Sequence, residues 1–378
     1  MSAYLDNAAT TRVCPEAAQA ALKVMTEIYG NPSSTYALGR KARSVLDTSR
    51  AVIAGALGCS PSELYFTSCG SESDNWAVIY SAEAQKRIGR HVITSAVEHD
   101  AVRKSFDRLE SLGWEVTRLA PESDGSISVR AVTEALRADT ALVSLMLVNN
   151  ETGAVTDIAA IAKELKKRGS KALLHTDAVQ GFMKVPFKAK SLGADMISIS
   201  GHKIHAPKGI GALYIRKGLR LPPFIVGGSQ EGGMRAGTEA MPQIAAFAEA
   251  VNTAAAHMQE NLERMRELQR RCAGRIAAEI PDARLLPLGA PHIIGISLPG
   301  YKSEVIMNFL EAKEIYVSRS SACKRGARSH VLEAIGLPND VIDGSIRVGL
   351  SRFTTAEEID EFCSALREAH ERLFTVLR

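Results

Sequence analysis

Short apolar runs rich in β-branched residues recur along the first two-thirds of the chain, and several are separated by stretches with helical periodicity. Apolar strands of this kind are buried on both faces of a parallel sheet, and amphipathic helices such as Ile158–Arg168 cover those faces. The pattern therefore predicts an α/β fold with a mostly parallel, seven-stranded sheet flanked by helices. The predicted strands are Leu64–Thr67, His91–Thr94, Glu115–Leu119, Ala141–Val148, Ala172–Thr176, Asp195–Ile199 and Gly211–Ile215.

The pattern changes after about Thr238, where a long Ala-rich helical stretch begins. One apolar face of this predicted helix recurs at three- or four-residue spacing. Short strands follow near Gly295–Leu298 and Ser345–Leu350, and a terminal helix, Ala356–Leu377, starts after a Thr-x-x-Glu-like cap. These elements predict a smaller α+β domain. The apolar face of the long helix consists of Leu262, Met265, Leu268, Cys272 and Ile276.

Length and composition support two packed regions and exclude several classes of protein. With 378 residues, 46% of them hydrophobic, the chain can bury a sizeable core. We expect a large domain over residues 15–250 and a small domain formed by residues 1–14 and 251–378. A formal net charge of +4 is too small to indicate nucleic-acid binding. No apolar run approaches the roughly 20 residues that cross a bilayer, and the first residues lack the features of an export signal. We therefore expect a cytoplasmic protein.

The six cysteines are scattered, with no Cys-x-x-Cys pair, which argues against a disulfide framework and against a metal site. Most such thiols are small buried hydrophobes. Cys323 differs, because "VSRSSACKRGARSH" surrounds it with small residues and with the cations Arg319, Lys324, Arg325 and Arg328. Nearby cations lower the pKa of a thiol and favour the reactive thiolate. The same cations are equally compatible with a solvated loop surface.

Two polar residues follow predicted strands in a way that suits pyridoxal phosphate (PLP). Lys203 lies just beyond a strand that ends at Ser200, and Asp177 follows another strand. Ligands of open α/β sheets bind beyond the carboxyl ends of the strands. PLP needs an amine for a Schiff base, a carboxylate at its pyridine nitrogen, an anion site for its phosphate and a group against its ring. Taken alone, Lys203 could equally be a surface residue and Asp177 a helix N-cap.

The remaining two requirements have candidates elsewhere in the sequence. "FTSCGSESDNW" predicts a strand, a turn of small residues and a helix start, where backbone N–H groups and the Ser71 hydroxyl can bind phosphate. Ser200 and His202 flank the lysine and add donors. His99 follows a further strand and can lie against the ring, although a lone histidine there is more often a cap. Together these residues predict a PLP site.

Motifs in this order along nearly the whole chain resemble the PLP-dependent cysteine desulfurases of the NifS/IscS-like class, within the class V aminotransferase family. They are "AYLDNAATT", "YGNPSSTYALGR", "FTSCGSESDN", "VEHDAV", "VNNETGAV", "HTDAVQG", "SGHKIHAPKGIGALYIR", "GGSQEGGMRAGTE", "SRSSAC" and "SIRVGLSRFTT". The resemblance implies the fold-type I architecture of PLP-dependent transferases and a homodimer with shared active sites.

The resemblance also implies a role for each matched residue. Lys203 would form the aldimine with the cofactor and later move protons, while Asp177 would pair with the pyridine nitrogen. His99 would stack on the ring and act in catalysis. Gln180 would hydrogen-bond the phenolic oxygen of the cofactor. The remaining cofactor contacts would come from Gly70, Ser71, Asn150, Ser200 and His202, with Thr238 reaching the phosphate of the partner subunit.

The substrate side of the resemblance implies conversion of L-cysteine to L-alanine. Asn150 and Arg347 would bind the substrate carboxylate, which suits the bidentate fork of a guanidinium. Cys323 would accept the sulfur as a persulfide and pass it to a protein acceptor, for iron–sulfur cluster assembly or for thiolation of tRNA or a cofactor. The loop after Cys323 is about two residues shorter than in housekeeping desulfurases, which limits the reach of a persulfide. The sequence therefore does not identify the sulfur acceptor.

Two other classes of function compete with this interpretation. A selenocysteine lyase, or another fold-type I PLP enzyme such as an aminotransferase, shares the same cofactor site. An aminotransferase has no use for a cysteine in this loop, so Cys323 argues against that activity. A non-catalytic scaffold would be expected to have lost Lys203, Asp177 or Cys323, and all three are present.

Overall fold

The computed structural model describes residues 2–319 and 328–373. The strands are β1 (Ala3–Tyr4), β2 (Leu64–Thr67), β3 (His91–Ser95), β4 (Glu115–Leu119), β5 (Thr140–Ser144), β6 (Leu173–Asp177), β7 (Met196–Ser200), β8 (Gly211–Ile215), β9 (Arg284–Leu285), β10 (Ile293–Ser297), β11 (Ile315–Tyr316), β12 (Ser318–Arg319) and β13 (Ser345–Gly349). The helices are α1 (Pro15–Glu27), α2 (Ala37–Leu57), α3 (Gly70–Asn75), α4 (Ser81–Gln85), α5 (Asp100–Ser111), α6 (Val129–Ala135), α7 (Ile158–Lys167), α8 (Ala189–Leu192), α9 (Met241–Ala256), α10 (Met258–Glu279), α11 (Ser303–Glu311), α12 (His330–Ala334), α13 (Asn339–Asp343) and α14 (Ala356–Arg372).

The large sheet has seven strands in the order β2-β8-β7-β6-β5-β3-β4. Strand β8 runs antiparallel to both of its neighbours, and the pairs from β7 to β4 are parallel. Every residue of β3, β5, β6, β7 and β8 is buried, as expected for strands covered on both faces. The predicted seven-stranded, mostly parallel sheet is confirmed.

A second, antiparallel sheet of four strands has the order β12-β13-β10-β9. The apolar residues of this sheet share a core with α10 and α14, whereas α9 packs into the core beneath the large sheet. The N-terminal strand β1 pairs with β11, beside the small sheet, and Asn7 donates to the Gly349 carbonyl at 2.9 Å. The proposed domain boundaries near residues 14 and 250 stay a prediction.

Three predicted elements have different limits in the structure. The long helix is interrupted at His257, whose φ of −123° is not helical, and its two parts pack on different cores. The strand predicted to end at Val148 ends at Ser144, because the chain turns at Asn149, whose side chain accepts from Glu151 N and Thr152 N. The terminal helix ends at Arg372, and residues 374–378 lie outside the described residues.

The described ranges contain neither a candidate membrane span nor a candidate metal cluster. Among residues 2–319 and 328–373, no helix combines the length and the low polarity that a membrane crossing requires. The same residues contain no cluster of three or more side chains that could hold a metal ion.

Candidate active site

A cavity of about 550 Å³ opens beyond the carboxyl ends of β5, β6 and β7. Parallel strands end at the same edge of the sheet, so residues far apart in the sequence meet there. The cavity brings together ten of the twelve residues predicted for the site. They are Gly70, Ser71, His99, Asn150, Asp177, Gln180, Ser200, His202, Lys203 and Arg347.

Lys203 lies in a single 3₁₀ turn, Gly201–Lys203, directly after β7. Its Nζ atom donates to the Ala8 carbonyl at 2.7 Å and to the Ala9 carbonyl at 2.6 Å. The N-terminal segment therefore forms one wall of the cavity, and Thr11 anchors it by donating to the His202 carbonyl at 2.8 Å. The carbonyls of Ala8 and Ala9 were not predicted, because backbone acceptors leave no signal in side-chain chemistry.

Asp177 is the last residue of β6, and its side chain is buried. Its Oδ1 atom accepts a hydrogen bond from Val179 N at 2.8 Å. Burial raises the pKa of Asp177, while the nearby His99 ring, the hydrogen bond from Val179 N and the Lys203 amine oppose that rise. A buried carboxylate is costly unless it meets a positive partner, and a protonated pyridine nitrogen in this cavity is such a partner.

The first turn of α3 lies next to β7 at the edge of the cavity. Gly70 and Ser71 begin this helix, and both line the cavity. A Cβ atom on Gly70 would lie 2.7 Å from Val179 Cγ2, so a larger residue would clash with that side chain. The buried Ser200 hydroxyl has no hydrogen-bond partner within the described part of the chain. These groups fit a phosphate.

His202 and His99 are held in defined orientations. Burial, followed by the charge of Lys203, lowers the pKa of His202 to about 4, and its Nδ1 atom lies 3.2 Å from Thr10 Oγ1. His99 is the N-cap of α5, and its Nδ1 atom accepts from Ala101 N at 3.1 Å. Because Nδ1 is an acceptor there, a neutral His99 carries its proton on Nε2. The capping role and the cavity-lining role are thus compatible.

Arg347, on β13, reaches the cavity from the small sheet. It is buried, its Nη1 atom donates to the Asn150 carbonyl at 2.6 Å, and its Nη2 atom lies 3.1 Å from Asp6 Oδ1. Its Nε atom has no partner among the described residues. Asn150 thus orients the guanidinium through its main chain. A buried guanidinium with unused donors suits a substrate carboxylate.

Three buried carboxyl groups in the cavity wall were missed from the sequence. Burial raises the pKa of Glu98 to about 8 and that of Glu151 to about 7. Burial and the nearby Asp177 raise the pKa of Asp74 well above its ordinary value. Glu98 is adjacent to His99 and Glu151 to Asn150, but acidic residues beside a motif are usually solvated, so only the fold reveals their burial.

One predicted residue lies outside this cavity, and another belongs to the part of the chain that the structure does not describe. Thr238 lines a separate surface cavity of about 300 Å³ with Tyr29, Asn31 and Pro32. Cys323, with Lys324 and Arg325, lies outside the described residues. Arg328 lines the main cavity and its Nε atom donates to Asp343 Oδ1 at 2.8 Å, so its charge is already paired.

Comparison with known proteins places the chain in a family. The model of the class-V aminotransferases matches residues 3–362. The chain belongs to this family. It is 41% identical over 375 residues to a cysteine desulfurase from Nostoc sp., covering 98% of this chain and 93% of that protein. It is also 41% identical over 380 residues to the cysteine desulfurase IscS of Escherichia coli O139:H28, with the same shares of each chain covered.

Solved structures agree with these relatives. A NifS-like protein superposes with a TM-score of 0.93 at 34% identity, covering 99% of this chain and 100% of that one. DndA from Streptomyces lividans superposes with a TM-score of 0.78 at 37% identity, covering 92% of this chain and 99% of that one. The resemblance to PLP-dependent cysteine desulfurases and the fold-type I architecture are confirmed, and PLP is the cofactor of this family member.

The described residues fit that cofactor on structural grounds. The cavity holds an amine at Lys203, a buried carboxylate at Asp177 and a hydroxyl at Ser200 that lacks a partner in the described ranges. Gly70 and Ser71, which begin α3, line the same cavity. An amine, a carboxylate and a hydroxyl are the kinds of group that suit the aldehyde carbon, the pyridine nitrogen and the phosphate of PLP.

Proposed function

We propose that the protein is a cysteine desulfurase that converts L-cysteine to L-alanine and carries the sulfur on Cys323. The observation that supports this most strongly is the single cavity that contains both the groups for PLP and Arg347. The arginine belongs to the small sheet, and it lines the same cavity as Lys203 and the N-terminal residues Ala8 and Ala9.

The predicted site residues that line the cavity each have a role in this proposal. Lys203 would hold the cofactor and move a proton at the substrate Cα, and Asp177 would pair with the pyridine nitrogen. Gly70, Ser71, Ser200 and His202 would bind the phosphate. Bound PLP supplies an electron sink that stabilises negative charge on the substrate carbon. His99 would cover the ring and hold a proton at Nε2.

The substrate would be oriented by its carboxylate. Arg347 offers the donors, and the Asn150 carbonyl and Asp6 fix the plane of its guanidinium. In the sulfur step, the Cys323 thiolate attacks the substrate sulfur and a new S–S bond forms as the substrate Cβ–S bond breaks. The electron pair of the broken bond stays on carbon, which takes up a proton and leaves as L-alanine.

We further propose a homodimer in which Thr238 completes the phosphate site of the partner. An apolar surface supports this. It comprises Leu22, Met25, Tyr29, Tyr36 and Leu38, which are 42–69% exposed in the single chain. Thr238 lines the cavity next to Met25 and Tyr29. Contiguous exposed apolar residues mark interaction surfaces.

The proposal also covers the division into domains, the sulfur acceptor and the cellular compartment. The large domain spans residues 15–250, and the small domain spans residues 1–14 and 251–378. A protein acceptor takes the sulfur from Cys323. We place the reaction in the cytoplasm, because a thiol that must be regenerated after each transfer requires a reducing compartment.

The proposal is tested with purified protein and L-cysteine, measuring L-alanine and sulfide in the presence of a thiol reductant. Wild type is expected to release equal amounts of both products, and Lys203→Ala to release neither. Cys59→Ala, which changes a thiol outside the cavity, serves as the control. Parallel assays with L-selenocysteine distinguish a cysteine desulfurase from a selenocysteine lyase. Alanine production from L-selenocysteine alone would contradict the proposal.

A further inference from the structure

A chain of hydrogen bonds links the small sheet to the lysine of the cavity. His292, just before β10, is fully buried, and its Nε2 atom lies 3.2 Å from Gln180 Oε1. Gln180 Nε2 donates to the Ala8 carbonyl at 2.8 Å. Lys203 Nζ donates to the same carbonyl at 2.7 Å. His292 itself does not line the cavity, so it can act there only through Gln180.

The donor and acceptor atoms fix the direction of each hydrogen bond from His292 through Gln180 to Ala8. The Ala8 carbonyl can only accept, so the Gln180 amide must turn its nitrogen towards it. The amide oxygen then faces His292, and an oxygen can only accept. His292 Nε2 must therefore carry a proton. This assignment of the amide and of the tautomer follows from the single acceptor at the end of the chain.

The surroundings of His292 keep its ring neutral. The charged groups that face it are Lys184, Arg347 and Lys203, all cationic, and they act together with complete burial to lower its pKa well below the ordinary value. A neutral imidazole ring carries one proton, and the hydrogen bond to Gln180 Oε1 places it on Nε2. The bare Nδ1 atom and the Lys184 amine both lack hydrogen-bond partners among the described residues. Lys184 is buried, and burial lowers its pKa too.

The orientation of Gln180 decides what it presents to the cavity. An amide nitrogen has two N–H groups, and the Ala8 carbonyl uses one of them. Gln180 lines the cavity, so the second N–H is its free polar function there. A flipped amide would set two oxygens against each other at Ala8. Gln180 is thereby restricted to donating, which suits an anionic oxygen of the cofactor.

We propose that His292 is a positioning residue, whose Nε2–H group locks the Gln180 amide as a hydrogen-bond donor to the phenolic oxygen of bound PLP. This inference rests on the PLP site of the proposed function and adds a residue that contacts neither cofactor nor substrate. The contacts with Ala8 and with His292 together fix the amide. Loss of the donor from His292 removes one of them and leaves the Gln180 oxygen buried without a partner, so the side chain can turn away from this orientation.

The test is a pH titration of the absorption band of the PLP-loaded protein without substrate. His292→Leu removes the donor at similar bulk, and His292→Asn shortens the side chain so that its amide falls short of Gln180. Both are expected to raise the titration midpoint by about one pH unit, because the anionic oxygen loses a hydrogen bond. His292→Gln, which restores a donor at the reach of Nε2, is expected to titrate as wild type. His370→Leu, on α14, is the matched control.

A double-mutant cycle separates this role from a general structural one. If His292 acts through Gln180, then His292→Asn adds no further shift in a Gln180→Ala background. An equal shift in both backgrounds would overturn the proposal, as would a wild-type titration of His292→Asn and His292→Leu. Because no substrate is present, failure of L-cysteine turnover would count against the proposed function and leave this result untouched.

Discussion

At the scale of single residues, the cavity is set apart by three buried carboxyl groups, those of Asp74, Glu98 and Glu151, whose pKa values are raised chiefly by burial. Asp74 Oδ1 lies 3.7 Å from His175 Nε2, but burial lowers the pKa of His175 to about 3, so that ring is neutral. Its nitrogens already contact the hydroxyls of Ser144 and Ser198, at 2.7 and 2.9 Å. Asp74 and Asp177 therefore cannot both ionise at low cost, and we expect Asp74 to hold a proton while Asp177 carries the charge.

If Asp74 is protonated and Asp177 is charged, Asp74→Asn and Asp177→Asn should differ strongly in their effect. Asp74→Asn replaces a neutral acid by a neutral amide, so PLP affinity and L-cysteine turnover should stay within about threefold of wild type. Asp177→Asn removes the charge and should lower turnover by about a hundredfold or more. Measured PLP dissociation constants and alanine formation check both. A loss of equal size in Asp74→Asn would show that Asp74 is ionised.

A second residue-scale prediction concerns pH and Glu98. Its pKa rises from 4.5 to about 8 in the folded protein, so between these values the folded state binds a proton that the unfolded chain releases. The unfolded state then binds fewer protons, and the free energy of unfolding falls as pH rises through this window. Above it, the cost of Glu98 is on the order of a few kcal/mol.

Glu98→Gln should flatten this dependence in the cofactor-free protein. The amide oxygen can still accept from Ser95 Oγ and Met146 N, as Glu98 Oε1 does at 2.6 and 3.1 Å. The midpoint of urea unfolding at pH 5 and pH 8 is the measurement. Wild type should lose more stability between these pH values than the variant, and parallel changes in the two proteins would refute the prediction.

At the scale of elements, the sequence predicts what local patterns determine and misses what tertiary packing determines. The buried strands were predicted from apolar runs, and the start of α14 from its Thr-x-x-Glu cap. The break at His257 has no local signal, because helix-forming residues lie on both sides of it. It exists because α9 and α10 cover different sheets. Burial of Glu98 and His292 likewise depends on neighbours distant in sequence.

The cap of α14 gives a prediction for stability. Thr355 accepts from Glu358 N at 3.2 Å, and Glu358 Oε2 accepts from Thr355 N at 2.8 Å. Thr355→Ala should lower the free energy of unfolding by about 1 kcal/mol, measured by urea denaturation. Thr26→Ala, at an exposed position of α1, should cost less because Thr26 only donates back to the Leu22 carbonyl. Equal costs would argue that the cap contributes nothing specific.

At the scale of the whole molecule, the site depends on contacts between distant parts of the chain. The N-terminal segment supplies Ala8 and Ala9, the large sheet supplies Lys203, and the small sheet supplies Arg347. Family motifs in the sequence located ten of these cavity residues because each motif keeps its order and chemistry. The motifs could not show that Gln180 and Lys203 donate to the same Ala8 carbonyl. Nor could they show that Asp74, Glu98 and Glu151 are buried.

The dimer proposal predicts a change in both mass and function. Met25 and Tyr29 are 56% and 69% exposed in the single chain, beside the cavity that holds Thr238. Replacing both by Glu should convert a dimer to a monomer in size-exclusion chromatography with light scattering, and should weaken PLP binding. Leu288→Glu, at an exposed apolar position outside this surface, is the control. A wild-type monomer with full activity would contradict the proposal.

The central claim is that sulfur leaves L-cysteine and becomes covalently attached to Cys323. The most direct measurement is mass spectrometry of the peptide containing Cys323, after PLP-loaded protein has been mixed with one equivalent of L-cysteine and trapped with an alkylating reagent. The account predicts that this peptide gains the mass of one sulfur atom, and that Cys323→Ala shows no such gain on its other five cysteines. A gain on another cysteine, or alanine formation by Cys323→Ala at the wild-type rate, would contradict it.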